Sequence, residues 1–493
     1  MKRFLFGFFI FTLGGCAIGP DFVLPEFDSP KEWKGPIASQ NVIWQTANPQ
    51  DTFPRDHWWE IYQDTKLNDL ENLCLTQNQN LVIALNRIDQ ARAGLQARSA
   101  AQLPTVQAGA IATNTLTSSN RPLGSYGTPV SSTTQDDLKA FLQVSYELDW
   151  LGRIRRDVES ARASYDQSKF DFESVKLVLT AQLAQLYFAI RQSDEEIRIL
   201  ERIGEVQSQN LKAIQAKHQF GLAIQSDVDL QNSAYKVTLA QLEILKGVRK
   251  VQENAMATLV AVPAPSFTLE AGMLPGQIPA MPKVLTSELL QRRPDIASAE
   301  RAMASANAQI GVAKAAYYPS FVLTPTYAGY EATTLQDLFL APSLIWSLGL
   351  QVTQTLFDGG RLSGGVNYAN ATYRSAVANY RQTMLTAFEE TQNALGTLDQ
   401  LSKALEQQED ALASQNRAVK ISKMRYEEGL DNVSIKLLTE QNQLQIARTA
   451  AQYKGQKLIT SVGLIKALGG GWSNDKALCN SSLDCTIRPN INQ

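Results

Sequence analysis

Histidine and cysteine are scarce in this 493-residue chain, which has only His57 and His218, and Cys16, Cys74, Cys479 and Cys485. Most metal sites and nucleophile–base pairs draw on those residue types, so an ordinary enzyme is disfavoured before any motif is read. An excess of one charge is also missing. Lys plus Arg is 46 and Asp plus Glu is 48, a net charge of -2, so the electrostatic footprint of a nucleic-acid binder is absent. With 19% charged and 44% hydrophobic residues, the chain is neither a disordered acidic polymer nor a helical membrane protein. Proline is absent between Pro129 and Pro263 and again between Pro342 and Pro489. Those two gaps are where long helices can run.

What is present begins with the first sixteen residues. Lys2 and Arg3 precede an apolar run, Phe4 to Leu13, too short to span a bilayer. It ends in Leu13-Gly14-Gly15-Cys16, the pattern of a lipobox, whose small residues fit a signal peptidase and whose Cys thiol accepts a diacylglycerol. An ordinary secretory signal with an incidental Cys is the plainer alternative. Cleavage before Cys16 removes Lys2 and Arg3 and takes the net charge from -2 to -4. Ala17 rather than Asp follows the Cys, which, by resemblance to bacterial lipoproteins, favours the outer membrane. Several acyl chains, palmitate among them, anchor firmly where one anchors weakly. Cys74 lies in a helical stretch and reads as a small apolar residue. Cys479 and Cys485 sit in a polar tail, where an oxidising compartment permits a disulfide; no His or third Cys is near enough for a metal site.

The chain repeats itself. Phe220-Gly221-Leu222 matches Glu428-Gly429-Leu430, and Asp149-Trp150-Leu151-Gly152-Arg153 matches Asp358-Gly359-Gly360-Arg361, each 208 positions apart when their Gly or Arg residues are aligned. Upstream, Asn80-Leu81 pairs with Asp295-Ile296 and Leu103-Pro104 with Tyr318-Pro319, at an offset of 215. The change of offset places a longer loop in the first half, around Arg121 to Thr134. Two constant offsets mean a duplicated unit rather than the three domains suggested by length. The expected division is a signal peptide over 1–15, a lipid-anchored extended segment over 16–55, a first repeat over 56–262, a Pro/Gly-rich linker over 263–284, a second repeat over 285–472 and a polar tail over 473–493.

Within each repeat the periodicity changes in one order. A helical segment comes first, about Asp64 to Ala101 and Leu285 to Ala316. Leu138, Ala140, Leu142, Val144, Tyr146 and Leu148 then alternate with polar residues, as do Leu344, Trp346, Leu348, Leu350 and Val352; Val106 to Ala112 and Phe321 to Tyr327 supply weaker partners. Such alternation fits a half-buried soluble sheet and a transmembrane barrel strand equally. Long helices follow over Arg153 to Gln219 and Arg361 to Glu428, each roughly 100 Å at 1.5 Å per residue. Leu398, Leu401, Leu405 and Leu412 give the spacing of a coiled-coil seam. Gly221 and Gly429 sit where these helices must stop and turn, and a shorter helix such as Ala223 to Val260 returns. Four strands cannot close a barrel, so strands placed in lipid require further copies of the chain.

Leu290-Gln291-Arg292-Arg293-Pro294-Asp295-Ile296, then Ala299-Glu300, Ile310-Gly311 and Tyr318-Pro319, resembles the outer membrane efflux factors of the TolC/OprM type, in particular their NodT-like lipoprotein branch. Trp58-Trp59 with Asp64 and Leu67, the Leu148-to-Arg153 segment, and Gly221-Leu222 with Asp227-Val228 are similar to that branch, and the resemblance covers about Asp56 to Trp472. It implies a mixed α/β membrane protein, a homotrimer whose twelve strands form a barrel that continues into a periplasmic helical barrel. It also implies docking onto a periplasmic adaptor and an inner-membrane transporter, often of the RND class, to pass small molecules such as drugs outward.

Such a duct makes and breaks no bonds and needs no cofactor, and no Walker loop, zinc-protease motif or nucleophile elbow is found. A type I protein-secretion duct and a structural coiled-coil lipoprotein are the alternatives. Site residues follow from the same resemblance. Gly221, Leu222, Arg425, Gly429 and Leu430 belong to the docking tips, and Asp227 to a periplasmic constriction with Tyr426 as a hydrogen-bonding partner. The second repeat departs from the pattern, because Ile435 and Leu438 or Thr439 stand at the family's acidic positions, with only Asp431 and Glu440 nearby.

Overall fold

A computed structural model describes residues 17–25, 57–119, 132–275 and 293–470. Cys16, the Cys479 and Cys485 pair, the start of the second helical segment at Leu285, and most of the 120–134 loop fall outside the described residues. The elements run α1 (Thr65–Gln77), α2 (Gln79–Ala100), β1 (Thr105–Leu116), β2 (Thr134–Glu147), α3 (Arg153–Gln219), α4 (Gln225–Leu259), α5 (Pro294–Ala315), β3 (Ser320–Ala332), β4 (Leu344–Thr353), α6 (Arg361–Glu427) and α7 (Val433–Ala467). The duplication is written into these limits. α2 and α5 begin and end 215 residues apart, while α3 and α6, and α4 and α7, begin and end 208 apart.

Local chemistry explains the limits. Asp149 caps α3 by accepting from the N–H groups of Ile154 (3.0 Å) and Arg155 (2.8 Å), and Asp358 caps α6 by accepting from Leu362 N–H at 2.9 Å. The α4 and α7 helices both end in a left-handed residue, Ala261 (φ 56°) in one and Gly469 (φ 83°) in the other. One expected element is two. The helical segment read as Asp64 to Ala101 breaks at Asn78, whose backbone is extended and whose side chain donates to Leu259 C=O (2.7 Å) and accepts from Asn80 N–H (2.8 Å). An Asn that satisfies its neighbours this way competes with the helix.

The chain divides into two compact units. One holds Met1–Glu26, Arg87–Ser168 and Ala299–Tyr380, and contains the sheet. Its four strands are antiparallel in the order β1-β2-β3-β4, so both hairpins join into one sheet through β2 and β3. The other holds Phe27–Asn86, Lys169–Ser298 and Arg381–Gln493. Its core gathers Trp58, Trp59, Tyr62, Leu67, Leu183, Tyr187, Phe188 and Met256. Trp58 donates to Thr180 Oγ1 at 3.2 Å, and Asp64 caps α1 while accepting from Tyr187 Oη at 2.7 Å. The Trp-Trp-Asp pattern is therefore a packing device. Cys74 is buried in the same core, and burial pushes its thiol up to about 12, which leaves it unreactive at neutral pH.

Candidate functional site

The sheet has two chemically distinct faces. Register aligns Ala108, Leu142, Ala328 and Trp346 in one row, and Ala110, Ala140, Tyr330 and Leu344 in the next. On β4 every apolar residue of this face, Leu344, Trp346, Leu348, Leu350 and Val352, is exposed, Trp346 to 75%. The opposite face carries Gln107, Gln143, Tyr327 and Ser347 in one row and Phe141 and Ile345 in the next, and Lys139 pairs with Asp137 (3.0 Å) and Glu331 (3.2 Å). A soluble sheet turns its apolar side to a core. This one turns it outward, which resolves the ambiguity of the alternation in favour of a lipid-facing surface.

Strands of 12, 14, 13 and 10 residues are long enough to cross a bilayer at a tilt. Among the described residues, the first and last strands, β1 and β4, each keep one unpaired edge. A shift of register between Thr324 and Tyr327 brackets Pro325, which has no N–H to give the ladder. Among the described residues, no helix is long and apolar enough to cross a membrane.

The helical hairpins end in two turns of the same backbone. Gly221 (φ 73°) donates to His218 C=O at 2.9 Å and Leu222 donates to Lys217 C=O at 2.8 Å. Gly429 (φ 72°) donates to Tyr426 C=O at 3.1 Å and Leu430 donates to Arg425 C=O at 2.8 Å. Both are Schellman motifs, in which left-handed Gly closes the orphan carbonyls of a helix end. The second tip adds a clasp, since Arg425 donates to both oxygens of Asp431 at 2.7 and 3.2 Å. That guanidinium holds the Asp431 carboxyl below the usual carboxylate range. Lys436 lies 5.2 Å from the Tyr426 ring centroid, a cation–π distance.

The three acidic candidates near the tips differ in their partners. Asp431 is bound by Arg425, and Glu440 by Arg202 at 2.8 Å. Asp227 is exposed at the first turn of α4 and reaches only the Ile224 N–H, at 3.4 Å. Among the described residues no cation pairs with it. The structure thus brings Arg425, Tyr426, Gly429, Leu430 and Asp431 together at one tip, and Gly221, Leu222 and Asp227 at the other.

Two features had no readable signal. Arg293 of the Arg-Arg-Pro-Asp motif is buried and donates to Asp295 (3.0 and 2.7 Å), Glu390 (2.7 Å) and the Ala467 carbonyl (3.0 Å). It locks α5 to α6 and α7 and lines no site. Glu71 of α1 is fully buried, among the described residues both its oxygens lack a hydrogen-bond partner, and burial holds its carboxyl well above the usual range. Its place among ordinary helical charges, in Asp69-Leu70-Glu71-Asn72, gives no hint of this.

Comparison with known proteins bears on the whole chain. The family model described as outer membrane efflux protein matches residues 70–262 and 285–470. The pyoverdine export outer membrane protein OpmQ of Pseudomonas aeruginosa is 30% identical, over 94% of this chain and 96% of its own length. The toluene efflux pump outer membrane protein TtgC of Pseudomonas putida is 27% identical, over 95% of this chain and 96% of its own. Among solved structures, the outer-membrane channel OprN superposes with a TM-score of 0.82 at 25% identity, over 93% of this chain and all of that one. The Campylobacter jejuni CmeC outer membrane channel shares the fold with a TM-score of 0.83 at 24% identity, over 93% and 95%.

Proposed function

The chain belongs to the outer membrane efflux protein family, and from that membership we propose that it is the passive exit duct of a tripartite pump, closed by three copies. The observation that carries this reading is the four-stranded sheet with its apolar face exposed and two free edges. Lipid tolerates no unpaired strand edge, so β1 of one copy must meet β4 of the next. Three copies give twelve strands around a polar lumen. A solute then crosses the outer membrane along a protein wall without partitioning into lipid.

The duct supplies no energy and no bond chemistry. Relatives named for pyoverdine, toluene and antibiotics match this chain along nearly their whole length, so choice of substrate lies with an inner-membrane transporter, of the RND class, and its periplasmic adaptor. The two Gly turns form the adaptor-docking tips. Asp227 is the acidic layer of the periplasmic constriction, because a threefold axis gathers three carboxylates that attract cations. Exposed Ile435 and Leu438 make the corresponding layer of the second hairpin apolar. Acylated Cys16 tethers each copy to the outer membrane.

Expression in a cell lacking its own exit ducts tests the proposal. Efflux of a fluorescent dye should return, and should vanish again when the inner-membrane transporter is deleted. Failure of dye efflux despite outer-membrane trimers would refute the duct. Mass spectrometry of the mature N-terminus should show acylated Cys16; a free Ala17 or a retained Met1 would remove the anchor.

A further inference from the structure

The apolar face of the sheet is one row short on β4. Leu344 opposes Tyr330 and closes the last row that β4 shares. The next row outward holds Ala112, Leu138 and Ala332 and, among the described residues, has no β4 member. From Leu344 to Val352 the face advances eight residues. At about 3.3 Å per residue and a tilt of about 40°, that is a height of about 20 Å, where a lipid-facing band is about 25 Å tall. The shortfall falls on the strand whose outer edge must pair with another copy.

The connection from β3 to β4, residues 333–343, turns back onto that face. The Phe339 ring meets the Tyr330 ring edge-on, with centroids 5.5 Å apart, and Tyr330 stands in the row of Leu344. Polar groups of the turn hold its conformation. Thr334 Oγ1 donates to the Asp337 carboxylate at 2.6 Å, and Ser343 Oγ donates to the Asp337 carbonyl at 2.7 Å. Leu340 N–H donates to the same carbonyl at 3.1 Å. Leu338 is buried, while Leu335, Phe339 and Leu340 stand 73%, 68% and 51% exposed. A turn facing water gains nothing from ordering three large apolar side chains outward, whereas a turn facing hydrocarbon does.

We propose that residues 333–343 are a hydrocarbon wedge that supplies the missing row of β4: Leu335, Phe339 and Leu340 enter the outer leaflet and contact the acyl chains of lipopolysaccharide. The wedge rests on the sheet standing in the bilayer, as proposed above. The contact is continuous with the lipid-facing surface, since Phe339 packs on a residue of that surface. α6 begins only beyond the other end of β4, so the wedge lies at the end of the sheet away from that helix. It raises the apolar band of β4 to the height of β2, beside the edge that closes the barrel.

Photocrosslinking in living cells tests the wedge. Phe339→p-benzoylphenylalanine and Leu348→p-benzoylphenylalanine are placed separately in the full-length chain by amber suppression. After illumination, the purified protein is resolved for lipid adducts by gel shift and mass spectrometry. Lipopolysaccharide adducts are expected at position 339 and lipid adducts at 348, in the middle of the β4 apolar face. Leu335→Ser with Leu340→Ser, both at exposed positions, should cut the adducts at 339 about tenfold, the partitioning that one large apolar side chain gives, and leave those at 348 unchanged. Adducts at 339 with protein or phospholipid alone, or none, while 348 takes lipid, overturn the wedge and leave the sheet in the membrane. Undiminished adducts in the double Ser variant overturn it as well. Absence of lipid at 348 overturns the membrane sheet itself, and the wedge with it.

Discussion

At the first hairpin tip Phe220, Leu222 and Ile224 stand 80%, 76% and 67% exposed; 208 residues on, the same backbone positions hold Glu428, Leu430 and Asn432. The turns are equal in conformation and share an exposed Leu, but differ in chemistry on either side of it. At the second tip Asn432 caps α7 by accepting from Ile435 N–H at 3.0 Å, and Arg425 clasps Asp431. At the first tip the capping position is Ile224, which has no acceptor to offer, and the residues matching the clasp are Lys217 and Ala223. Replacing a capping Asn by an apolar residue costs about 1 kcal/mol. The first tip therefore gives up this cap and keeps an apolar surface, which in the proposed reading makes it the stronger of the two adaptor contacts, while the second satisfies itself.

The largest expected effect falls on what the tips share. Gly221→Val or Gly429→Val forces a β-branched residue into the left-handed region, at a cost of at least about 1–2 kcal/mol. Each should abolish dye efflux while trimers still form. Persisting efflux in Gly429→Val trimers would remove the tip assignment.

Next come the side chains, where the tips should part. Phe220→Ser with Leu222→Ser removes two exposed apolar anchors and should weaken adaptor binding about tenfold or more. Leu430→Ser should weaken it less. Equal losses at both tips, measured by binding of purified adaptor to trimers in detergent, would erase the distinction drawn between them. Ile224→Asn sharpens it further: the new cap should stabilise the first hairpin by about 1 kcal/mol yet lower adaptor affinity.

The acidic residues give a smaller difference. Single-channel recordings of Asp227→Asn should show reduced cation preference, because its carboxylate has no cation partner among the described residues. Asp431→Asn combined with Arg425→Gln, which removes both halves of the neutral clasp, should leave selectivity alone. Unchanged selectivity in Asp227→Asn would sink the constriction.

Smallest is the response to acid. Asp431 is held below the usual carboxylate range by Arg425, so the clasp is complete above that range and opens as pH falls through the lowered value, below about pH 4. A spin-label pair across the second tip should broaden there. The same pair across the first tip, which lacks the clasp, should not.

These contrasts were legible in the sequence to different depths. Both long helices could be read from missing proline and a stopping Gly, because Pro and Gly act through the backbone whatever surrounds them. The sheet was half legible. Alternation along Leu344 to Val352 showed two faces, but period alone does not say which side is water. Thr134 to Asp137, the polar start of β2, gave no strand signal because only its pairing with Thr113 to Leu116 makes it one.

The contacts that hold residues 17–21 were invisible for another reason. Gly152, Arg156, Asn307 and Gly311 meet residues 17–21 across as many as 293 positions, from Ile18 to Gly311, and no local pattern marks them. Glu71 reads as a solvated helical acid and is buried without a hydrogen-bond partner among the described residues. Glu71→Leu should therefore stabilise the protein by about 1–3 kcal/mol at neutral pH, seen as a later thermal transition in detergent.

Closure of the barrel by three copies underlies the whole account, and the free edges of β1 and β4 offer the direct measurement. Paired cysteines, one at an odd or even position of Thr105–Leu116 and one in Leu344–Thr353, can be introduced into a chain lacking Cys74 and oxidised in intact outer membranes. Some register of the pair should convert the protein into a covalent, closed trimer on denaturing gels, with no larger species. A folded, membrane-inserted protein that stays monomeric across every register, or that forms an open ladder beyond three copies, would contradict the account.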